Sequence, residues 1–452
     1  MWQSLLRSNS FVQNAAYMFS ASAWAILIQF LFSPIISRIY DPEVYGLFSI
    51  FNSWVVVIGA FACMSWNQAF VLPEKPGVFR ALLHLATRSL TVVTIVTTTL
   101  FAIAWPWINE LFHANALGAW TVFVGPIVLL IALDRILVDW SVRQKAFKKQ
   151  SLISLPVTAG TKGFNVGYGS LISNTVEGLI FTHALNHLSR IILYFRYVVK
   201  DVKPTFKSKV NPEDLKQAKS DYAAYPRYMT WSNALNTGSN YIPIVILPIF
   251  LNSTEPAGLF SYALVVLDLP ARLLGSGVNP VFLQKAVELN RDDPDQLPRM
   301  TWKVFLILLA LIILPLLVLG VFGESVYEIA FGEKWKEAGL LAAIMGSYYF
   351  FRLISSPISS IFNVKRKERA LFWFQLTLFV ARLAALLIAC SVTDSLVEII
   401  IVFAAANAFV YWILTGWIFI LLKRYVWQSL FVSAGTFAVL AYLVVWLREI
   451  LG

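Results

Sequence analysis

Charge is scarce in this chain. Asp, Glu, Lys and Arg together make up 13% of its 452 residues, about half of what a soluble protein of this length carries. Cysteine is scarcer, and both copies, Cys63 and Cys390, lie inside apolar runs, so no disulfide framework is indicated. There is no Walker A loop, no Gly-x-Ser-x-Gly, no Cys-x-x-Cys and no Asp-rich metal motif. No enzyme chemistry, cofactor or metal is therefore expected, and without a nucleotide site any work must draw on an ion gradient or on substrate supply.

What the chain has instead is hydrocarbon. Hydrophobic residues make up 58% and the mean hydropathy is +0.69. Many windows exceed the roughly 20 apolar residues that cross a bilayer core, so the chain reads as an all-α polytopic membrane protein. Thirteen spans are expected at about 14–37, 44–71, 87–108, 116–140, 152–172, 177–198, 228–251, 257–283, 302–322, 338–361, 371–391, 395–422 and 429–447. The first run is too long for a signal-peptide core and has no convincing cleavage site, which makes it the first span.

The formal charge of +11 is informative by location. One alternating set of loops holds Lys75 and Arg80, the Arg143–Lys149 cluster, Lys200 to Lys219, Lys285 to Arg299, Lys365 to Arg369, and Lys423 with Arg424. The other set has only Arg38, Lys334 and Lys336, the last two among glutamates. The positive-inside rule puts the N-terminus in the cytoplasm, with loops near 77, 147, 210, 292 and 367 inside and those near 112, 174, 253, 333 and 393 outside. Basic loops beside membrane helices explain the charge without a nucleic-acid partner.

A degraded internal repeat organises the chain. PIISRIYDPEVYGLFS (34–49) returns as PIFLNSTEPAGLFS (248–261), with the prolines 214 residues apart and the glycines 212. Asn67 falls on Asn279 at the glycine offset. Two similar halves place a site between them, as in many secondary transporters. The expected division is a first bundle over 1–198, a cytoplasmic linker over 199–226, a second bundle over 227–424 and an extra C-terminal span over 425–452. Within the linker, Asn211-Pro212-Glu213-Asp214 predicts a helix start, with a capping side chain, Pro at the first position and acids in the first turn. A short amphipathic helix at the cytoplasmic surface follows, with Leu215, Ala218 and Tyr222 on one face.

Polar residues inside the spans are the candidate functional set. Arg135, Lys162, Arg272, Arg352 and Arg382 lie well within hydrophobic runs, where each costs about 2.5–3.5 kcal/mol at mid-helix and so should face the protein interior. Against them stand Asp134, Asp139 and Asp268, leaving net positive charge. Arg135–Asp139 and Asp268–Arg272 are four apart, so each pair either neutralises itself along its own helix or leaves its arginine for a ligand. Lys162, Arg352 and Arg382 have no acid within reach on their own helices, which favours a cavity role over snorkelling or inter-helix pairing. The repeat puts Arg135 on Arg352 and Lys162 within a turn of Arg382.

Two one-sided stripes complete the set. His183, His187 and Arg190 stand at i, i+4 and i+7. They suit a proton relay, sugar hydrogen bonding or helix packing, and lack the third ligand zinc requires. Asn233, Asn236 and Asn240, beside Tyr228 and Trp231, suit either sugar binding or inter-helix hydrogen bonds. Coupling-ion candidates are Asp134, Asp139, Asp268 and Glu398, for H+ or Na+.

Four segments carry a family resemblance: SRIYDPEVYGLFSIF (37–51), AYPRYMTWSNAL (224–235), LPIFLNSTEPAGLFSYALVVLDLPARLLGSGVNPVFLQKA (247–286) and FGEKWKEAGLLAAIMGSYYFFRLISSPISSIFNV (331–364). Their order and spacing resemble the bacterial polysaccharide and O-antigen flippases of the multidrug/oligosaccharidyl-lipid/polysaccharide exporter superfamily. The resemblance implies two pseudo-symmetric six-helix bundles forming a V-shaped transporter, with the thirteenth span additional. It implies flipping of an undecaprenyl-diphosphate-linked oligosaccharide across the bacterial inner membrane by alternating access, for O-antigen, capsule or exopolysaccharide assembly. The implied partners are that lipid-linked oligosaccharide, membrane lipids, a coupling ion and the polysaccharide polymerase or chain-length machinery.

A diphosphate with a hydroxyl-rich head calls for enclosed cations, amides and aromatics, the residues singled out above. An ion-coupled drug antiporter of the same superfamily is the alternative, opposed by the positive interior. A membrane glycosyltransferase or polymerase is a further one, opposed by the short outer loops.

Overall fold

A computed structural model describes residues 11–198 and 210–451. Every regular element among them is helical. In chain order they are α1 (Phe11–Ile39), α2 (Pro42–Ala62), α3 (Pro76–Leu111), α4 (Val124–Arg143), α5 (Phe147–Leu171), α6 (Val176–Tyr197), α7 (Pro212–Asp221) and α8 (Thr230–Leu251). There follow α9 (Glu255–Asp292), α10 (Gln296–Phe331), α11 (Lys336–Ser355), α12 (Ile361–Val364), α13 (Glu368–Val392), α14 (Leu396–Leu421) and α15 (Val426–Leu451).

Each of the thirteen expected spans falls on one of these helices. Among the described residues, ten helices are long and apolar enough to cross a membrane by themselves. Those below that mark include α5 and α6, which carry Lys162 and the His183–His187–Arg190 stripe, so the polar residues of interest are what lower their hydropathy. In α1 the apolar stretch among described residues is Ile26–Ile39.

Three span ends differ from expectation. The run over 116–140 opens as a 3-10 segment, Asn115–Phe123, kinked at Gly118 (φ 50°), and is α-helical only from Val124. The run over 44–71 is one helix only to Ala62, because Met64 and Ser65 adopt consecutive left-handed conformations (φ 48° and 54°) before a short 3-10 turn at Trp66–Ala69. The run over 338–361 stops at Ser355, two residues before Pro357, which has no main-chain N–H to continue the helical ladder. Elsewhere helices overrun the hydrophobic core: α3 and α10 are each 36 residues long. Prolines inside α1, α3, α5, α8 and α10 are of the kind membrane helices tolerate.

The linker helix forms as its capping pattern predicts. Asn211 Oδ1 accepts the Glu213 main-chain N–H at 3.1 Å, Pro212 opens α7, and Ala218 is fully buried as α7 packs on α3. Residues 199–209 of the expected linker lie outside the described residues.

The chain divides into two compact units, one running through Tyr241 with Asn252–Glu255, the other comprising Ile242–Leu251 and Pro256–Gly452. In the first, α5 packs on α1 and α6, and α4 on α2, α3 and α6. Within it Thr254 donates its hydroxyl to the Glu43 carbonyl at 3.2 Å, bringing together residues from the two copies of the repeat.

In the second unit α11 packs on both α10 and α14. A Cβ on Gly323 would stand 2.7 Å from the Gly339 carbonyl, so glycine is what lets α10 and α11 cross this closely. The segment Phe331-Gly332-Glu333-Lys334-Trp335 is an anchor. Gly332 adopts φ 103°, and the fully buried Trp335 lies against Tyr262 with ring centroids 3.9 Å apart. Tyr327 closes the arrangement by donating to the Ala263 carbonyl at 2.8 Å.

Candidate functional site

Each unit contains an aspartate within its spans that gathers basic groups from a neighbouring helix. In the first unit this is Asp134 on α4, which is 5% exposed. Its Oδ2 lies 2.9 Å from His187 Nδ1 and its Oδ1 accepts Arg190 Nε at 3.1 Å, both from α6. The i, i+3 spacing of these two residues brings both onto the α4-facing side of α6. One turn earlier, His183 stacks edge-on to His187 with centroids 5.1 Å apart. His183 Nε2 is buried and has no hydrogen-bond partner among the described residues. Lys162, on α5, is half-buried within electrostatic range of His183. Among the described residues it makes neither an ion pair nor a hydrogen bond.

The α5–α6 interface around Lys162 is polar throughout. Asn186 Nδ2 donates to Thr161 Oγ1 at 3.0 Å, and Asn165 Nδ2 donates to Thr182 Oγ1 at 3.1 Å. These four residues were not singled out in the sequence. Their signal was present, since Thr161/Asn165 and Thr182/Asn186 are both i, i+4 pairs, the first beside Lys162 and the second on the helix of the His183–His187–Arg190 stripe.

In the second unit the acid is Asp268 on α9. Tyr349 Oη donates to its Oδ1 at 2.5 Å, Arg352 Nη1 lies 3.5 Å from the same oxygen, and Arg272 Nη2 lies 3.9 Å from Oδ2. The Arg352 guanidinium stands over the Tyr349 ring at 4.9 Å, adding a cation–π contact. Arg352 therefore finds on another helix the acid its own helix lacks. Arg272 keeps its i, i+4 partner but is exposed at the rim of the cluster.

Other candidates are placed differently from the simplest sequence reading. Arg135 and Asp139 form no ion pair among the described residues. Asp139 instead accepts Asn67 Nδ2 at 2.5 Å, while Arg135 is exposed. Asn67 sits in the 3-10 turn packed against α4, which brings its amide within reach of Asp139. Arg382 is buried between α13 and α14, its Nε donating to Asn407 Oδ1 at 2.5 Å. Asn233 reaches Ser65 Oγ at 3.4 Å, beside Thr230, which makes the same contact at 3.2 Å. Asn240 donates to the Asn236 carbonyl one turn before it, and Asn236 itself is exposed. Glu398 is exposed in the first turn of α14. The asparagine stripe is thus split between helix contacts and an open face.

Chemically, both clusters hold more base than acid. Asp134 faces Arg190 and His187, with His183 packed on His187 and Lys162 in electrostatic range of His183, and Asp268 faces two arginines. Such groups can bind an anion, donate to sugar hydroxyls, or exchange partners when a proton or ligand arrives.

Comparison with known proteins follows the same lines. Residues 35–340 match the family model described as polysaccharide biosynthesis protein, and the chain belongs to that family. Among curated proteins, none matches this sequence. The fold is similar to that of the lipid II flippase MurJ in an inward closed conformation, with a TM-score of 0.66 at 11% identity over 97% of both chains. It is similar to a multidrug resistance MATE family transporter of the MOP superfamily in its inward-facing conformation, with a TM-score of 0.60 at 11% identity over 91% of this chain and 94% of that one. A MOP superfamily transporter from Pyrococcus furiosus Vc1, described as having a binding pocket of reverse polarity, gives a TM-score of 0.54 at 11% identity over 91% and 95%. The chain therefore has the MATE/MurJ-like transporter fold.

Proposed function

We propose that this member of the polysaccharide biosynthesis family is a flippase. It carries an undecaprenyl-diphosphate-linked oligosaccharide from the cytoplasmic to the outer face of the bacterial inner membrane, as a step in surface polysaccharide assembly. The observation that carries this reading is Lys162. A lysine in the middle of a membrane helix, half-buried and without an acidic partner among the described residues, is costly to keep charged. An anionic ligand is what offsets that cost, and a diphosphate supplies it. The base-rich surroundings of Asp268 and the hydroxyl and amide groups lining α5 and α6 support the same class of substrate, because a glycan head offers many hydroxyls to hydrogen-bond. A cationic drug as cargo is disfavoured by this excess of positive charge.

The test is deletion of the protein in its own cell, followed by isolation of lipid-linked repeat units. The expected result is their accumulation on the cytoplasmic face together with loss of surface polysaccharide. Surface polysaccharide at the parental level, with no accumulation, would remove the flippase reading.

A further inference from the structure

The last helix, α15, lies against α10, α11 and α14 but does not fill the space it covers. A cavity of about 300 Å³ remains between α10, α11 and α15, with the room of about ten water molecules. Leu316, Ile344, Phe437, Leu440 and Val444 make its walls apolar, and Gly346 with Ala343 and Ala441 keeps it open. Its polar groups are Ser347 and, at one end, Arg448.

Arg448 is held in place but not used up. Its Nε donates to the Gly320 carbonyl at 2.8 Å and its Nη2 lies 3.8 Å from Glu324 Oε2. A guanidinium has five N–H donors, and the side chain is 36% exposed, so donors remain for a ligand outside the helix interface. The depth of this end is marked independently. Trp446, two residues before Arg448 on α15, is exposed, and the Lys336–Glu328 pair (3.4 Å) joins α11 to the same end of α10. Exposed aromatics with charged pairs are the signature of the membrane–water interface. The cavity thus opens at headgroup depth and runs into the hydrocarbon zone, where the surrounding solvent is lipid chain. An unfilled apolar space there would forfeit contacts along its whole wall.

We propose that this crevice is a binding site for one membrane phospholipid, with an acyl chain between α10, α11 and α15 and its phosphate on Arg448. The apolar walls select a ligand with a chain, and Glu324 beside Arg448 disfavours a bare, multiply charged anion. The lipid would cement the thirteenth span to the rest of the second unit.

The experiment uses the full-length protein extracted in mild detergent and weighed intact by native mass spectrometry. Wild type is expected to retain one phospholipid. Ala441→Phe, which fills the crevice, should lower retention at least tenfold, and Arg448→Gln several-fold. In a delipidated sample, added phosphatidylglycerol should raise the thermal midpoint of wild type and leave that of Ala441→Phe unmoved, while inorganic phosphate should shift neither. Should Ala441→Phe fail to fold, Ser347→Leu fills the same space from the opposite wall and is read in the same way. Retention by the filled variant equal to wild type, absence of both retained lipid and thermal shift in wild type, or preferential retention of a polyprenyl phosphate would each overturn the proposal. None of these readouts involves export, so the assignment stands or falls separately from the flippase reading.

Discussion

Arg382 Nε donates to Asn407 Oδ1 at 2.5 Å across the α13–α14 interface, with the two residues 2% and 1% exposed. Asn407 is itself oriented by donating to the Phe403 carbonyl at 2.7 Å. A buried guanidinium held this way contributes to helix pairing, and a hydrogen bond to a charged group is worth about 1.5–3 kcal/mol. Arg382→Ala is therefore expected to lower thermal stability and membrane abundance together with export. Asn407→Ala, which removes the amide oxygen that accepts from Arg382 Nε, should do the same. Quantitative immunoblotting of membranes alongside surface polysaccharide checks this, and lost export at normal abundance would instead place Arg382 in the substrate path.

Lys162 is expected to behave in the opposite way. Removing an unpaired cation relieves a desolvation cost, so Lys162→Met should leave abundance at or above wild type while export falls at least tenfold. Lys162→Arg should restore part of the activity, since it keeps the charge but changes its geometry. Full export by the Met variant would dissociate Lys162 from the cargo.

The Asp134 cluster predicts strong coupling. Replacing Asp134 by Asn leaves Arg190 without its buried counter-charge, a change that costs about 3–5 kcal/mol. Adding Arg190→Gln to Asp134→Asn should recover much of the loss, because the pair then becomes neutral amides that still hydrogen-bond. Thermal unfolding of the two single variants and the double variant gives the coupling energy, and additive effects would mean the two side chains act independently.

The arrangement of basic loops predicts sidedness. After replacement of Cys63 and Cys390, single cysteines near 112, 174, 253, 333 and 393 should label from outside intact cells, and those near 77, 147, 292 and 367 should not. Labelling at 147 or 367 would invert the topology.

Most of the helical framework was legible in the residues themselves. Apolar run length located thirteen helices, because the bilayer thickness sets how many such residues a span needs. The start of α7 was readable from Asn211 and Pro212, because capping is a local interaction. So was the clustering of unusual polar residues on α5 and α6, because a polar group in a hydrophobic run stands out whatever surrounds it. What the sequence could not supply was which polar group meets which. Helical periodicity decides which residues share a face of their own helix, as with His187 and Arg190, but carries no information about the face opposite. Asp134 with α6, Asp268 with Arg352, Asp139 with Asn67 instead of Arg135, and Arg382 with Asn407 were all decided by packing. In a membrane that packing follows from close backbone approach at small residues, such as Gly323 against Gly339, and not from hydropathy, which is the same on every lipid-facing and helix-facing side. The end of α2 at Ala62 belongs to the same class. Its apolar run continues past the turn through Met64 and Ser65, and the Ser65 hydroxyl there meets Thr230 and Asn233, which lie far along the chain.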